Sequence, residues 1–415
     1  MKLAALTLAA AAVPAVAAPC TSPVCNLDVL APYFGKLAAA KEAPGVPPVH
    51  ILQIGDSHTA GDAMTGAWRA LLQARLGVGG RGVMPPGRPY DFYHTHGATA
   101  SMSPGWSIGA TFGKAAREPR PLLGMSGFSL TSTQAGASMG LNTDPGMAFD
   151  RFTLCAIAGP GAGSVAVRFD GEDQGRLDFT APVAAPKCMT IRSATARSSV
   201  AITAEAPGLT ITSWAVFCDD GGVALSNLGV IGSQLAHFAR TDDAVLGEEL
   251  KAYKPDLIVL AFGTNEGFAP RFDPVAYEVI LRLQIARLRR LSGGVPMLLL
   301  GAPDALSRQP ELRTNAAEDP IECEPAASGA GARPPLFAPP ALAAVRRIQR
   351  RIAGELGLAW WDWQAEMGGP CSARSWVQRD MPLMRGDYVH FNTAGGLEIA
   401  RRLQDDLDRG AALAE

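Results

Sequence analysis

Charge is scarce in this chain. Only 18% of its 415 residues are charged, and 37 basic against 39 acidic residues leave a formal net charge of -2. Without a basic excess there is no electrostatic footprint for nucleic acid or an anionic membrane surface. Histidine is scarcer still, with six in all. No Cys-x-x-Cys or Cys/His zinc spacing occurs, and no solenoid or collagen period is visible. Beyond the N-terminus, no apolar run reaches the ~20 residues needed to cross a bilayer. Nucleic-acid binding, zinc-finger, repeat and membrane-spanning classes are therefore set aside, and no metal or organic cofactor is expected.

What is present begins with Lys2, an apolar run from Leu3 to Val13, and the small residues Ala15-Val16-Ala17. This is the pattern of a secretory signal peptide over residues 1–18. A lipoprotein reading through Cys20 is weaker, because Pro19 stands where a small residue is wanted. The mature chain is expected in the periplasm or outside the cell, as a monomer. Export permits disulfides. Seven cysteines leave at least one unpaired within the chain. Cys20 with Cys25, and Cys323 with Cys371, are plausible pairs, and two of Cys155, Cys188 and Cys218 can join.

The chain divides into three stretches. Residues 26–95 carry an amphipathic helix over Leu27–Ala40, a buried strand over Val49–Ile54 and a helix from about Thr65 to Leu76. Residues 96–225 are poor in charge and rich in short alternating runs, such as Ser164–Phe169 and Leu209–Trp214. These predict a β-sandwich. From residue 226 to 410, strands at Leu228–Ile231, Asp256–Phe262, Val295–Leu300 and Leu358–Asp362 alternate with helices at Ser233–Tyr253, Pro274–Leu291, Ala341–Leu356 and Thr393–Arg409. Residues 315–340 read as a loop. Strand–helix alternation implies a mainly parallel sheet covered on both faces, interrupted by the β-rich insert.

Open parallel sheets present functional groups after the carboxyl ends of strands. Four such junctions stand out. Gly55-Asp56-Ser57-His58 puts a hydroxyl just past a buried strand, where a tight turn can also aim a backbone N–H at an oxyanion. A plain helix N-cap is the competing reading for this serine. Gly229-Val230-Ile231-Gly232 permits close backbone approach. Gly263-Thr264-Asn265-Glu266 offers a side-chain amide. Asp387-Tyr388-Val389-His390 pairs a carboxylate with an imidazole three residues on, which can turn that imidazole into a general base for the serine. The other histidines fit less well. His50 lies in a strand, His58 is expected to point away from Ser57, and His237 sits on a predicted helix. His94 and His96 have metal-like spacing but no acidic cluster.

The four junctions, in this order, resemble the GDSL/SGNH hydrolase family, with Ser57, Gly232, Asn265 and His390 matching its four name-giving positions. The resemblance implies a flavodoxin-like three-layer α/β/α fold. It implies Ser57 as nucleophile, His390 as base and Asp387 as its orienting acid. The oxyanion hole would be the N–H of Ser57, the N–H of Gly232 and the side chain of Asn265. His58 departs from the Leu that often follows the serine. The inserted sandwich is similar in architecture to the carbohydrate-binding-module-like domain of exported peptidoglycan O-acetylesterases. A serine esterase acting on an O-acetylated glycan is thus expected. Alternatives are a glycan O-acetyltransferase with the same triad, a lipase or thioesterase, and a non-catalytic glycan-binding protein. Trp106 and Trp214 are candidate sugar-stacking residues, and Trp360, Trp361, Trp363 and Trp376 flank the last strand.

Overall fold

In the computed structural model, which describes residues 23–40, 45–116 and 121–412, the apolar runs become strands whose side chains alternate between two cores. Leu52, Ile54, Ile258, Leu260, Leu299 and Trp360 enter one core. Ile51, Val259, Leu298, Leu300 and Trp361 enter the other. Both faces are covered by helices, so the runs are mostly apolar, and the polar members of the first, His50 and Gln53, are buried with hydrogen-bond partners. Each fully buried Leu or Ile contributes about 1.5–3 kcal/mol relative to exposure.

The main sheet has six strands in the order 24–25, 359–361, 297–300, 257–261, 49–55 and 223–229. All neighbours are parallel except the short edge strand Val24–Cys25, which pairs antiparallel with Trp360 and Trp361. This is the three-layer α/β/α arrangement expected from the sequence. The helix at 274–292 follows the predicted span. Pro274 stands at its first turn, Asp273 caps the N–H groups of Val275 and Ala276, and Gly293 ends it in a left-handed conformation.

Several boundaries differ from expectation. The predicted helix over 233–253 is two helices, Leu235–Phe238 and Asp243–Tyr253. Asp242 accepts from the N–H groups of Ala244 and Val245 and so starts a new helix. The strand read at Leu228–Ile231 runs over Val223–Gly229. The stretch 315–340 contains a small hairpin, Ile321–Glu324 with Leu336–Ala338. Cys323 in that hairpin is bonded to Cys371.

The insert is a sandwich of two antiparallel sheets. One has the order 172–178, 164–169, 199–204, 138–143, 98–102. The other has the order 185–197, 149–158, 210–217, 128–132, 106–110, with Gly82–Met84 also paired to 210–217. Cys155 and Cys188 face each other across one ladder and are bonded, which leaves Cys218 as the free thiol. Cys25 is disulfide-bonded, while Cys20 and the expected signal peptide over residues 1–18 lie outside the described residues. The sandwich is tied to the α/β layer by Glu249, a fully buried carboxylate on the helix Asp243–Tyr253. It accepts from Met125 N–H, Thr212 Oγ1 and Ser213 Oγ. Among the described residues, no helix is long and apolar enough to cross a membrane.

Candidate active site

Strand register brings the first three loops to one rim. Gly55 is level with Gly229 on one side and Ala261 on the other. Ser57, Gly232 and Asn265 therefore follow adjacent strand ends. The approach is close enough to require glycine. A Cβ on Gly229 would lie 2.2 Å from Ala60 N, and one on Gly55 would lie 2.5 Å from Ala261 O.

Ser57 opens the four-residue helix Ser57–Ala60. The first N–H of a helix has no partner within it. Deeper residues hold this turn in place. Gln53, in the strand, donates to Thr59 Oγ1, and Asn227, on the neighbouring strand, donates to the Thr59 carbonyl. Beyond it, Asp62 is completely buried in a left-handed conformation. It accepts from Thr65, Arg69, Thr95 and His96 N–H. Burial works against its charge, but the Arg69 guanidinium, His96 and Arg81 outweigh it and hold the carboxyl well below the usual range. His96 is engaged by Asp62 in this network.

The candidate base arrives from the far end of the chain. His390 Nε2 lies 2.9 Å from Ser57 Oγ, and His390 Nδ1 lies 2.9 Å from Asp387 Oδ2. The other oxygen, Asp387 Oδ1, accepts from the backbone N–H groups of Val389 and His390, each at 2.9 Å. Partial burial pushes the Asp387 carboxyl up. The hydrogen bonds from the His390 backbone, the His390 ring and Val389 outweigh this, so it sits below its ordinary value. The carboxylate thus remains ionised across the range where a neutral imidazole is needed. The structure brings Ser57, His390 and Asp387 into one hydrogen-bonded chain.

Gly232 has φ +76°, and its N–H meets no acceptor among the described residues. A Cβ there would press on the Phe112 ring at 2.9 Å. Asn265 Nδ2 donates to the Ser233 carbonyl at 3.0 Å, and Gln234 Nε2 donates to the Asn265 carbonyl. This fixes the Asn265 amide beside the Gly232 turn, while its second N–H meets no acceptor among the described residues.

A cavity of about 540 Å³ opens over Ser57 and His390. Its walls include Tyr90, Phe92, Ile231, Trp363 and Arg385. Phe92 is 93% exposed and has φ 62°, a strained conformation for a bulky residue. Nothing in the sequence signals Phe92 or Arg385 as wall residues, because both stand in irregular loops. The tryptophan expectations divide. Trp214 is buried in the sandwich core and cannot stack on a sugar, and Trp360, Trp361 and Trp376 are also core. Trp106 is half-buried and donates to the Ser138 carbonyl. Trp363 is buried yet lines the cavity.

Glu266, beside Asn265, is buried. One oxygen accepts from Leu235 N–H and the other has no partner among the described residues. Burial pushes its carboxyl up to about 7. In the unfolded chain it ionises near pH ~4.3. The folded chain keeps the proton between these values, so rising pH destabilises it by about 1.4 kcal/mol per unit through that window. Glu266→Gln removes this dependence. Denaturant titrations from pH 4 to 8 are expected to show the variant gaining about 3 kcal/mol relative to wild type.

The model of the GDSL-like Lipase/Acylhydrolase family matches residues 195–396, which include Gly232, Asn265, Asp387 and His390 but not Ser57. A solved structure described as "Peptidoglycan O-acetylesterase in action" is similar with a TM-score of 0.73 and 24% identity, over 94% of this chain and 99% of that one. An acetyl xylan esterase (TM-score 0.30, 17% identity, 44% of this chain and 79% of that one) is more remote. So is a family two carbohydrate esterase from Clostridium thermocellum (TM-score 0.28, 12% identity, 75% and 99%). No match is found among the curated proteins.

Proposed function

We propose that the chain is a carboxylic ester hydrolase of the GDSL-like lipase/acylhydrolase family, whose model matches residues 195–396, and that it removes O-acetyl groups from a glycan, peptidoglycan above all, through Ser57, His390 and Asp387. The observation that carries this reading is the continuous Ser57–His390–Asp387 hydrogen-bond chain at the floor of an open cavity. His390 takes the Ser57 proton as Oγ attacks the ester carbonyl, and Asp387 holds the ring with Nε2 facing the hydroxyl. The oxyanion is received by Ser57 N–H, Gly232 N–H and Asn265 Nδ2. Each such donor is worth about 10²–10³-fold in rate. His390 returns the proton to the departing sugar hydroxyl. Water then attacks the acetyl-serine, again losing a proton to His390, and acetate leaves as the Ser57 hydroxyl is restored.

The cavity wall supports a sugar substrate. Phe92 and Tyr90 place aromatic rings in the wall, and such rings can pack against the C–H groups of a sugar. Arg385 adds a guanidinium, and neither Asp nor Glu is among the lining residues, which suits a glycan carrying carboxylates. The similarity to a peptidoglycan O-acetylesterase spans the insert as well as the hydrolase layer. The apolar N-terminal run supports export to the periplasm or exterior, and the chain is proposed to act there as a monomer. The test is acetate release from O-acetylated peptidoglycan, xylan and alginate. Faster release from peptidoglycan is expected. Preference for xylan, or transfer of acetyl to added sugar hydroxyls without free acetate, would overturn the reading.

A further inference from the structure

His58 takes no part in the steps above, yet its contacts are unusual for a buried histidine. Its side chain is 4% exposed. Nδ1 lies 3.3 Å from Asp56 Oδ1, and Nε2 lies 3.0 Å from the Val389 carbonyl oxygen. Carbonyl and carboxylate oxygens only accept, whereas a neutral imidazole has one N–H to give. Satisfying both contacts requires the doubly protonated ring. A counter-charge is at hand, because Asp56 is itself buried and its Oδ1 also accepts the His58 backbone N–H.

The surroundings are consistent with a fixed cation. The titratable and charged groups facing His58 are Asp56, from its own turn, and Asp387 and His390, from the loop before the last helix. The His390 ring stacks on it with centroids 5.5 Å apart. Trp363 and Phe391 cover the remaining sides with uncharged rings, each 5.6 Å away. Burial opposes the charge, but Asp56, the Val389 carbonyl and Asp387 together raise the ring above its ordinary pKa.

The partner of Nε2 gives this cation a role. Val389 lies between Asp387 and His390 and supplies one of the N–H groups that hold the Asp387 carboxylate. His58 follows the nucleophile directly. We propose that His58 is a positioning residue, an imidazolium that cross-braces the turn bearing Ser57 to the loop bearing His390, and that its loss of charge at alkaline pH loosens this brace and lowers turnover. The proposal rests on the serine-esterase reading above. Small displacements of reacting groups cost up to about 10²-fold in rate, so the brace acts on kcat and not on substrate affinity.

The test uses the full-length protein, ¹⁵N-labelled in histidine, together with His58→Leu and His58→Gln. At neutral pH, the wild-type His58 ring is expected to show protons on both nitrogens and to lose one as pH rises. Over the same interval kcat for p-nitrophenyl acetate should fall. Both variants are expected to lose that alkaline limb and to have kcat lower by about 10-fold or more, with KM within about two-fold of wild type. A neutral His58 ring at pH 7 would overturn the proposal, as would a variant that keeps wild-type kcat and the same pH profile. The nuclear magnetic resonance reading is made on wild type, so a variant that fails to fold leaves the proposal open to refutation. Ser57→Ala separates the two claims. If it hydrolyses the ester as fast as wild type, the esterase reading fails while the state of the His58 ring is still measured.

Discussion

Ser57→Ala is expected to lower kcat for acetate-ester hydrolysis by on the order of 10⁴-fold or more, while thermal unfolding stays near that of wild type. The hydroxyl is half-exposed and has a single side-chain hydrogen bond, to His390 Nε2. Removing it deletes one neutral contact, worth about 1 kcal/mol. The turn itself is held by Gln53, Asn227 and the Asp56 cap, none of which touches Oγ. Rate and stability are thereby separated. Kinetics with p-nitrophenyl acetate and a melting curve check both halves, and an active variant would remove Ser57 from the chemistry.

Asp387→Asn is expected to cost about 10⁴-fold in kcat, and again for a geometric reason. In the wild type, one carboxylate oxygen accepts from two backbone N–H groups and the other from His390 Nδ1. An asparagine can keep its carbonyl on the two N–H groups, so the loop should retain its shape. Its NH₂ would then face Nδ1 and require that nitrogen to accept. The proton would move to Nε2, where it blocks removal of the Ser57 proton. Because the triad acts as a unit, Ser57→Ala with Asp387→Asn should be scarcely slower than Ser57→Ala alone. A pH profile that recovers activity at high pH would show that the tautomer was not the cause.

The strands and their loops were legible because each leaves a local signature. Val49–Ile54, apolar apart from His50 and Gln53, and Leu257–Phe262, wholly apolar, are runs of strand length, and the chemistry-bearing residues follow directly after such runs. The helix start at Asp242 was also signalled locally, by paired aspartates, but the apolar periodicity on either side of it obscured the break. Other features had no local signal. The edge strand Val24–Cys25 exists because Trp360 and Trp361 offer it a ladder from more than three hundred residues away. Trp214 read as a sugar-stacking candidate, yet the packing of two sheets buries it. Which of Cys155, Cys188 and Cys218 pair depends on a register that aligns Cys155 with Cys188, and no spacing rule contains that register.

The sequence by itself determined the layer architecture and the order of the four strand-end motifs, and it singled out Ser57, Asp387 and His390 as candidates, since each depends on residue types within a few positions. Tertiary structure decided that Ser57 and His390 are in hydrogen-bond contact, that Phe92 and Arg385 form the cavity wall, and that His58 lies between Asp56 and Val389. Those relations depend on strand register and loop packing between distant segments, where close-packed interiors admit one arrangement and the linear order of residues carries no distance.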